Sequence, residues 1–506
     1  MKKIIDETFI KKKINVLKNK NKKIGLCHGV FDLLHIGHIN HISEAKNKCD
    51  ILIISVTHND FIHKGPGRPA FNHNVRMQAL SALENVDYVF LSKNQTAQNS
   101  INLIKPDLYF KGPDYKNHLD DISGEITNEI KTLKKIKGKI YYTKSKKFSS
   151  SNLINQYLST ISDEQKKAID KIKKKFTFTD IEKLIDNLKH VNPLVIGEII
   201  IDQYVFSEAL GKSGKEPVLV LKQLDQKKYL GGAGAICNNL SNFCKKINFL
   251  SMIGEKSEEI GFIRKKLSQK VKYFFLKKKN SPTIIKKRFI DKVNKHKVFG
   301  VYSLEDELLH VKDENLINSK FKDLSKKTNL SIVSDYGHGF LSKSFIKKII
   351  KNSKFVAANV QINAANIGFH TLINYQNIDF LIINESEIRH EMRSRNEDLK
   401  ILIRKLAKSQ KIKYLVVTRG VFGSIFFEKK TNSFFYTDAF EKAAKDKVGA
   451  GDTMLSISAL CLAQKVDFDL TMLISSLCAA QNVKVFANES PIDKKKLLKE
   501  LKHILS

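Results

Sequence analysis

His35 and His38 stand either side of Gly37 in "GVFDLLHIGHINHI", residues 29 to 42, directly after an apolar run that reads as a buried strand. Two imidazoles three residues apart suit a metal half-site or a phosphate clamp. Zinc needs a third and a fourth ligand, and His41 is the one cheap candidate nearby. Phosphate is the better reading: Gly37 opens a helix whose first N–H groups lack partners and make an anion site that both rings can reach. A second stretch, "KDKVGAGDTM" (445 to 454), packs small residues at a turn before a helix. There the N–H groups of Gly449, Ala450 and Gly451 can meet one anion, with Asp452 beside them as a base. It is not a dinucleotide fingerprint, which would need glycine at Met454. The "GKS" at 211 to 213 is not a Walker loop, because Phe206 stands where the first glycine belongs.

These groups need strands and helices to position them. Residues 23 to 157 alternate short apolar runs ("KIGLCH", "DILIISVT", "DYVFL", "DLYFKG", "GKIYYT") with amphipathic segments, the rhythm of a doubly wound parallel sheet. Residues 159 to 192 are polar, Lys-rich and helical in period, as in a linker or a docking helix pair. A second α/β series starts at "PLVIGEIIID" and runs through "NLSIVSDYG", "KFVAANV", "DFLIINESE" and "KYLVVTRG" to a last helical block. Inside it, residues 283 to 304 are β-rich and half polar, which suits a sheet flap. The expected architecture is α/β: two Rossmann-like doubly wound parallel-sheet domains at 1–158 and 193–506, a helical linker at 159–192, and a small β flap on the second domain.

The chain of 506 residues is too long for one core. Its formal net charge of +36 suggests a polyanion partner, yet only nine of the 88 basic residues are arginine and the lysines are scattered. Solvated lysine-rich faces are therefore expected, with no nucleic acid and no membrane as partner. Six cysteines show neither a C-x-x-C pair nor zinc-finger spacing and read as reduced core residues of a cytoplasmic protein. No apolar run approaches the length that spans a bilayer.

The H-x-G-H after "GVFD" resembles the signature of the cytidylyltransferase-like nucleotidyltransferases, with "GRPAFNHNVRMQAL" (67 to 80), "KPDLYFKGPDY" (105 to 115) and "FSSSNLINQ" (148 to 156) in matching order. Among these it is most similar to the adenylyltransferase module of ADP-heptose synthesis. The resemblance implies attack of a sugar 1-phosphate on the α-phosphate of ATP or CTP, with loss of pyrophosphate. His35 and His38 would neutralise the triphosphate, and Lys111 and Arg76 would hold phosphate oxygens. Ser149, Ser150 and Ser151 would bind the triphosphate, Gly112 and Asp114 would shape the base and ribose pocket, and Gly29 and Phe31 join the nucleotide-binding set.

"YLGGAGAICNNL" (229 to 240), "SDYGHG", "NESE" and "VTRGVFGS", with G-A-G-D, resemble the ribokinase-like (PfkB) sugar kinases, and "GEIIIDQY" and "GKSGKEPV" the heptose 7-phosphate kinases among them. The resemblance implies Asp452 as base, Gly449, Ala450 and Gly451 as the hole for the transferring phosphoryl group, and Asn384 and Glu387 as organisers of Mg²⁺. Thr418, Gly420 and Gly423 would line the ATP site. Asp202, Gly231 and Gly232 would contact the sugar, and Lys286 and Arg288 a phosphate already on it. Ala235 replaces an asparagine expected to contact sugar hydroxyls, with Asn238 or Asn239 as substitutes, which leaves the sugar open.

Together these imply a bifunctional enzyme of nucleotide-sugar synthesis acting on small sugar phosphates and nucleotides, with the domain order of the heptose enzyme reversed and homo-oligomerisation open. A kinase for another sugar fused to a CDP-polyol-forming transferase is the alternative, and a non-catalytic nucleic-acid-binding protein a distant one.

Overall fold

The computed structural model describes residues 3–62, 68–94, 96–113, 125–144, 162–293, 295–441 and 444–505. Two compact units emerge, Met1–Ser162 with Lys495–Ser506, and Asp163–Lys494.

In the first unit, β1 (Ile24–Gly29), β2 (Ile51–Thr57), β3 (Tyr88–Ser92), β4 (Leu108–Lys111) and β5 (Lys139–Tyr142) form one sheet in the order β3-β2-β1-β4-β5. All four ladders are parallel. Alternate side chains of these strands feed two separate cores, as the two-residue period of a strand requires. Ile24, Leu26 and Ile53 pack with Ile10, Ile14 and Ile101 from the helices of one side. Cys27, Leu52 and Ile54 pack with Ile42, Ala45, Met77 and Leu80 on the other. The strand order reverses between β1 and its neighbours β2 and β4. The C-terminal end of such a switch point is the usual ligand site of these sheets.

The second unit is built on nine strands: β6 (Pro193–Gly197), β9 (Ile247–Gly254), β10 (Val271–Lys278), β13 (Leu330–Asp335), β14 (Val356–Val360), β15 (Phe380–Asn384), β16 (Tyr414–Thr418), β17 (Ser424–Glu428) and β18 (Ser433–Thr437). Their order is β10-β9-β6-β13-β14-β15-β16-β17-β18. The ladders are parallel as far as β16; β17 and β18 then continue antiparallel, an edge that the expectation of a parallel sheet did not include. One face carries an extensive core, including Phe321, Phe345 and Leu402 from its helices. On the Ala450–Ala463 helix every residue from 452 to 462 is buried, as befits a segment with no charged side chain after Asp452.

The flap is larger than residues 283 to 304. Beside β11 (Ile285–Asp291) and β12 (Lys297–Ser303) lie the long strands β7 (Ile199–Lys212) and β8 (Leu219–Gly232), in the order β12-β11-β7-β8. The β7–β8 hairpin escapes a periodicity search because its inner half is buried on both faces and its outer half is exposed on both.

Two expected boundaries change. The helices Asp163–Lys175 and Phe178–Asn187, expected as a linker, belong to the second unit. Ile169, Ile172, Ile181 and Ile185 are buried, Lys175 bonds Asp467 and Asp469, and Lys171 bonds Asp469 at 2.7 Å, so the docking alternative describes them. Residues 495–506, expected in the kinase domain, group with the first unit.

Candidate active sites

The second unit holds a cavity of about 530 Å³ at the C-terminal ends of β13, β15 and β16, under the flap sheet. Thirteen expected residues line it: Asp202, Gly232, Lys286, Arg288, Asn384, Glu387, Thr418, Gly420, Gly423, Gly449, Ala450, Gly451 and Asp452. Gly449 caps the Ala450–Ala463 helix at φ +88°, where a side chain is strained and a Cβ would collide with Asn488. Open space lies above Gly451. The free N–H groups of this first turn therefore face a ligand space rather than protein.

Asp452 sits in that turn and is buried. The Tyr336 hydroxyl donates to both its carboxylate oxygens, at 3.0 and 3.1 Å. Burial pushes the Asp452 pKa up to about 7, helped by the charge of Asp202 and opposed by Tyr336 and Lys286. A carboxylate titrating there is poised as a general base near neutral pH. Tyr336 had no role assigned from the sequence, although "SDYGHG" contains it. Its backbone is pinned: N donates to Glu198 at 3.1 Å, and the carbonyl accepts from Asn363 and Asn366 at 2.8 Å. Asp335 anchors the same turn, accepting from Gly337 N at 2.9 Å and from the Tyr375 hydroxyl.

The flap supplies the other charges. Arg288 on β11 pairs with Asp202 on β7. Gly231 does not line the cavity. It backs Asp202, and any Cβ there would strike the Asp202 carboxylate. Lys286 is buried, with Nζ 5.1 Å and 5.5 Å from the ring centres of Tyr336 and Tyr302. It has no ion-pair partner among the described residues. Burial brings its pKa down to about 8, partly offset by Asp202.

Asn384 and Glu387 first of all cap a helix. Asn384 Oδ1 accepts from Glu387 N at 2.8 Å and Glu387 Oε2 from Asn384 N at 2.7 Å, the reciprocal capping box of the Glu385–Glu391 helix. Glu387 also accepts from Ile362 N, and burial lifts its pKa to about 7. No cluster of three acidic, His or Cys groups suited to a metal occurs among the described residues. One cavity-lining carboxylate with spare lone pairs still fits a Mg²⁺ that keeps its waters and arrives on the nucleotide phosphates, where it would offset their charge.

Asn239, expected at the sugar, does not face the cavity. Its amide is buried, donating to Thr453 Oγ1 at 3.1 Å and accepting from Ile492 N at 3.3 Å, so it ties two helices together instead of facing the sugar. Asn238 is likewise spent on Lys266 O and Ser268 N.

In the first unit Gly29, Phe31, His35 and His38 meet beyond β1. His35 caps the Ile36–Lys46 helix, its Nδ1 accepting from Gly37 N at 3.1 Å. The rings of His35 and His38 stack at 4.1 Å, and Phe31, at φ +49°, lies 5.5 Å from His38. Burial lowers the pKa of His35. His41, the spare metal candidate, bonds Thr143 Oγ1 at 2.8 Å, and burial lowers its pKa to about 4, which leaves it neutral.

Two phosphate-holding assignments change. Arg76 is 1% exposed and donates to the carbonyls of Val30, Phe71 and Thr57 and to Asn59 Oδ1. With four of its five N–H groups spent, it braces the loop after β1 rather than gripping a phosphate. Lys111 pairs with buried Glu129 at 2.8 Å, and Glu129 also accepts from Tyr109 OH at 3.0 Å. Glu129 was not foreseen, since nothing in the sequence links it to Lys111. A Cβ on Gly112 would meet open space. Asp114, Ser149, Ser150 and Ser151 lie outside the described residues.

The cytidylyltransferase-like family model matches residues 26–156 and the pfkB family carbohydrate kinase model residues 192–495. Among curated relatives, the bifunctional protein HldE of Aliarcobacter butzleri is 38% identical over 125 residues, 24% of this chain and 26% of that protein. HldE of Campylobacter curvus is 29% identical over 304 residues, 58% of this chain and 61% of that protein. The chain thus spans less than two thirds of the length of these relatives. A mutant of Escherichia coli phosphofructokinase-2, 11% identical, shares the fold over 62% of this chain and 99% of its own, with a TM-score of 0.50. With the glycine-capped turn, Asp452 and the flap all inside the stretch that the larger model matches, the chain belongs to the pfkB family of carbohydrate kinases.

Proposed function

We propose that the chain is a bifunctional enzyme of nucleotide-sugar synthesis, acting in the cytoplasm. Its second unit transfers the γ-phosphoryl group of ATP to a sugar phosphate of the heptose 7-phosphate type. Its first unit joins a nucleotidyl group to a sugar 1-phosphate, as in ADP-heptose formation, in the reverse of the heptose enzyme's domain order. The observation that carries the kinase reading is Asp452, held by Tyr336 OH at a glycine-capped helix start in the same cavity as Lys286 and Arg288. Asp452 takes the proton of the attacking hydroxyl, the new P–O bond forms, the bond to ADP breaks, and the N–H groups of Gly449, Ala450 and Gly451 offset the charge on the moving phosphoryl oxygens. Lys286 and Arg288 hold the phosphate already on the sugar. In the first unit His35 and His38 offset charge at the α-phosphate while pyrophosphate leaves, and Arg76 acts only by bracing the loop before them. The resemblance to relatives named as bifunctional supports two activities on one chain.

A second reading keeps both chemistries and changes the substrates: another sugar for the kinase, a CDP-polyol for the transferase. Ala235, buried in the Ala233–Leu240 helix, favours it, because a methyl group stands where the resemblance expects an amide. A mass-spectrometric product assay decides. The full chain receives Mg²⁺ with ATP or CTP, and heptose 7-phosphate or heptose 1-phosphate in separate tubes. A bisphosphate from the first sugar and an ADP-heptose from the second uphold the proposal. Silence with heptoses, but turnover with other sugar or polyol phosphates, moves it to the second reading.

A further inference from the structure

We infer that Lys297 and Asp446 form a clasp through which the flap sheet sets the geometry of the glycine turn, making Asp446 a positioning residue for phosphoryl transfer; this rests on the kinase reading. The Asp446 side chain is 2% exposed and accepts four hydrogen bonds. Oδ1 takes Lys297 Nζ at 2.7 Å and Val448 N at 3.2 Å. Oδ2 takes the Tyr204 hydroxyl and Ala487 N at 3.0 Å.

Two of these donors come from the flap: Tyr204 from the middle of β7 and Lys297 from the first position of β12. The other two are backbone groups on either side of the turn. Val448 directly precedes Gly449, and Ala487 directly precedes Asn488, the residue against which Gly449 packs without room for a Cβ. One carboxylate thus ties the flap to both walls of the turn. Burial works to raise the pKa of Asp446, but the bonds from Lys297 and Tyr204 outweigh it and hold it below the ordinary range, so all four donors meet an ionised acceptor. Strand β7 also carries Asp202, two residues before Tyr204, in the cavity. The strand that offers a carboxylate to the sugar therefore also holds the loop that must meet the γ-phosphate. Misplacement of such a loop costs rate rather than nucleotide affinity.

The test uses the full chain with Lys297→Met, Lys297→Arg and Asp446→Asn. Hydrogen exchange is read by mass spectrometry on peptides covering residues 444 to 452 and 483 to 490, with ATP turnover alongside. Lys297→Met should speed exchange at Val448 and Ala487 about tenfold, leave the β7–β8 ladder unchanged, and lower kcat by about ten- to a hundredfold with KM for ATP within about twofold. Lys297→Arg should restore both readouts. Asp446→Asn added to Lys297→Met should cost less than in the wild type. Unchanged exchange at Val448 and Ala487, or equal loosening across the whole flap, would overturn the clasp. The exchange readout needs no sugar, so failure of the kinase reading would show in the product assay alone.

Discussion

Replacing Tyr336 by Phe removes one hydroxyl and keeps the ring that Lys286 faces. That hydroxyl bonds both oxygens of Asp452, at 3.0 and 3.1 Å. A donor stabilises the ionised carboxylate, so its loss raises the Asp452 pKa from its starting point of about 7. A hydrogen bond to a charged group is worth about 1.5–3 kcal/mol, and each pKa unit about 1.4 kcal/mol, so the shift is about one to two units upward. At pH 7 the ionised fraction then falls from about one half to between about a tenth and a hundredth, and kcat/KM of the kinase drops about five- to fiftyfold. The assay is the pH profile of kcat/KM for wild type and Tyr336→Phe. In the wild type the rate should rise through about pH 7 as Asp452 ionises and fall above about pH 8 as Lys286 loses its proton. In the variant the rising limb should move toward the falling one, giving a narrower and lower bell. A rising limb that stays in place, whatever the height of the maximum, refutes Tyr336 as the group that keeps Asp452 ionised.

Asp452→Asn should abolish phosphoryl transfer and spare nucleotidyl transfer, and His38→Ala should do the reverse by about 100- to 1000-fold; either variant crippling both product signals in a folded chain would sink the two-site assignment. Lys111→Met leaves the Glu129 carboxylate buried beside Tyr109, and should cost the first unit about 3–5 kcal/mol in denaturant unfolding, with much of that recovered by Glu129→Gln in the double variant. Arg76→Met strands the carbonyls of Val30, Phe71 and Thr57, and should lower that unit's stability by about 3 kcal/mol or more. If Arg76→Met instead unfolds like the wild type and raises KM for the nucleotide, the bracing role is wrong.

The two sheets, their helical alternation and the G-A-G-D turn were legible because each follows from local rules: two-residue and 3.6-residue periods, and glycine where φ must be positive or a ligand must approach. So was the company of Asp452, Lys286 and Arg288, since the resemblance carried their order along the chain. The helices at 163–187 read as a linker because their exposed faces are charged, lysine-rich in the first and largely acidic in the second, while the four isoleucines that dock them are a minority of the segment. Arg76 and Lys111 misled for a related reason. A basic residue in a motif has the same letter whether it meets a phosphate or braces the fold, and only the neighbours that folding delivers, three carbonyls for one and Glu129 for the other, separate the cases.

By itself the sequence determined the class of each unit and the nature of its reactive groups, because periodicity, turn chemistry and side-chain type act over a few residues. Tertiary structure decided which partners those groups keep. Tyr336 reaches Asp452 across 116 residues and Tyr204 reaches Asp446 across 242. Asn239 is lost to the sugar because Thr453 and Ile492 claim its amide first. Hydrogen bonding and burial operate over a few ångströms of space, and which residues come that close is settled only when the sheets have formed and the helices have packed on them.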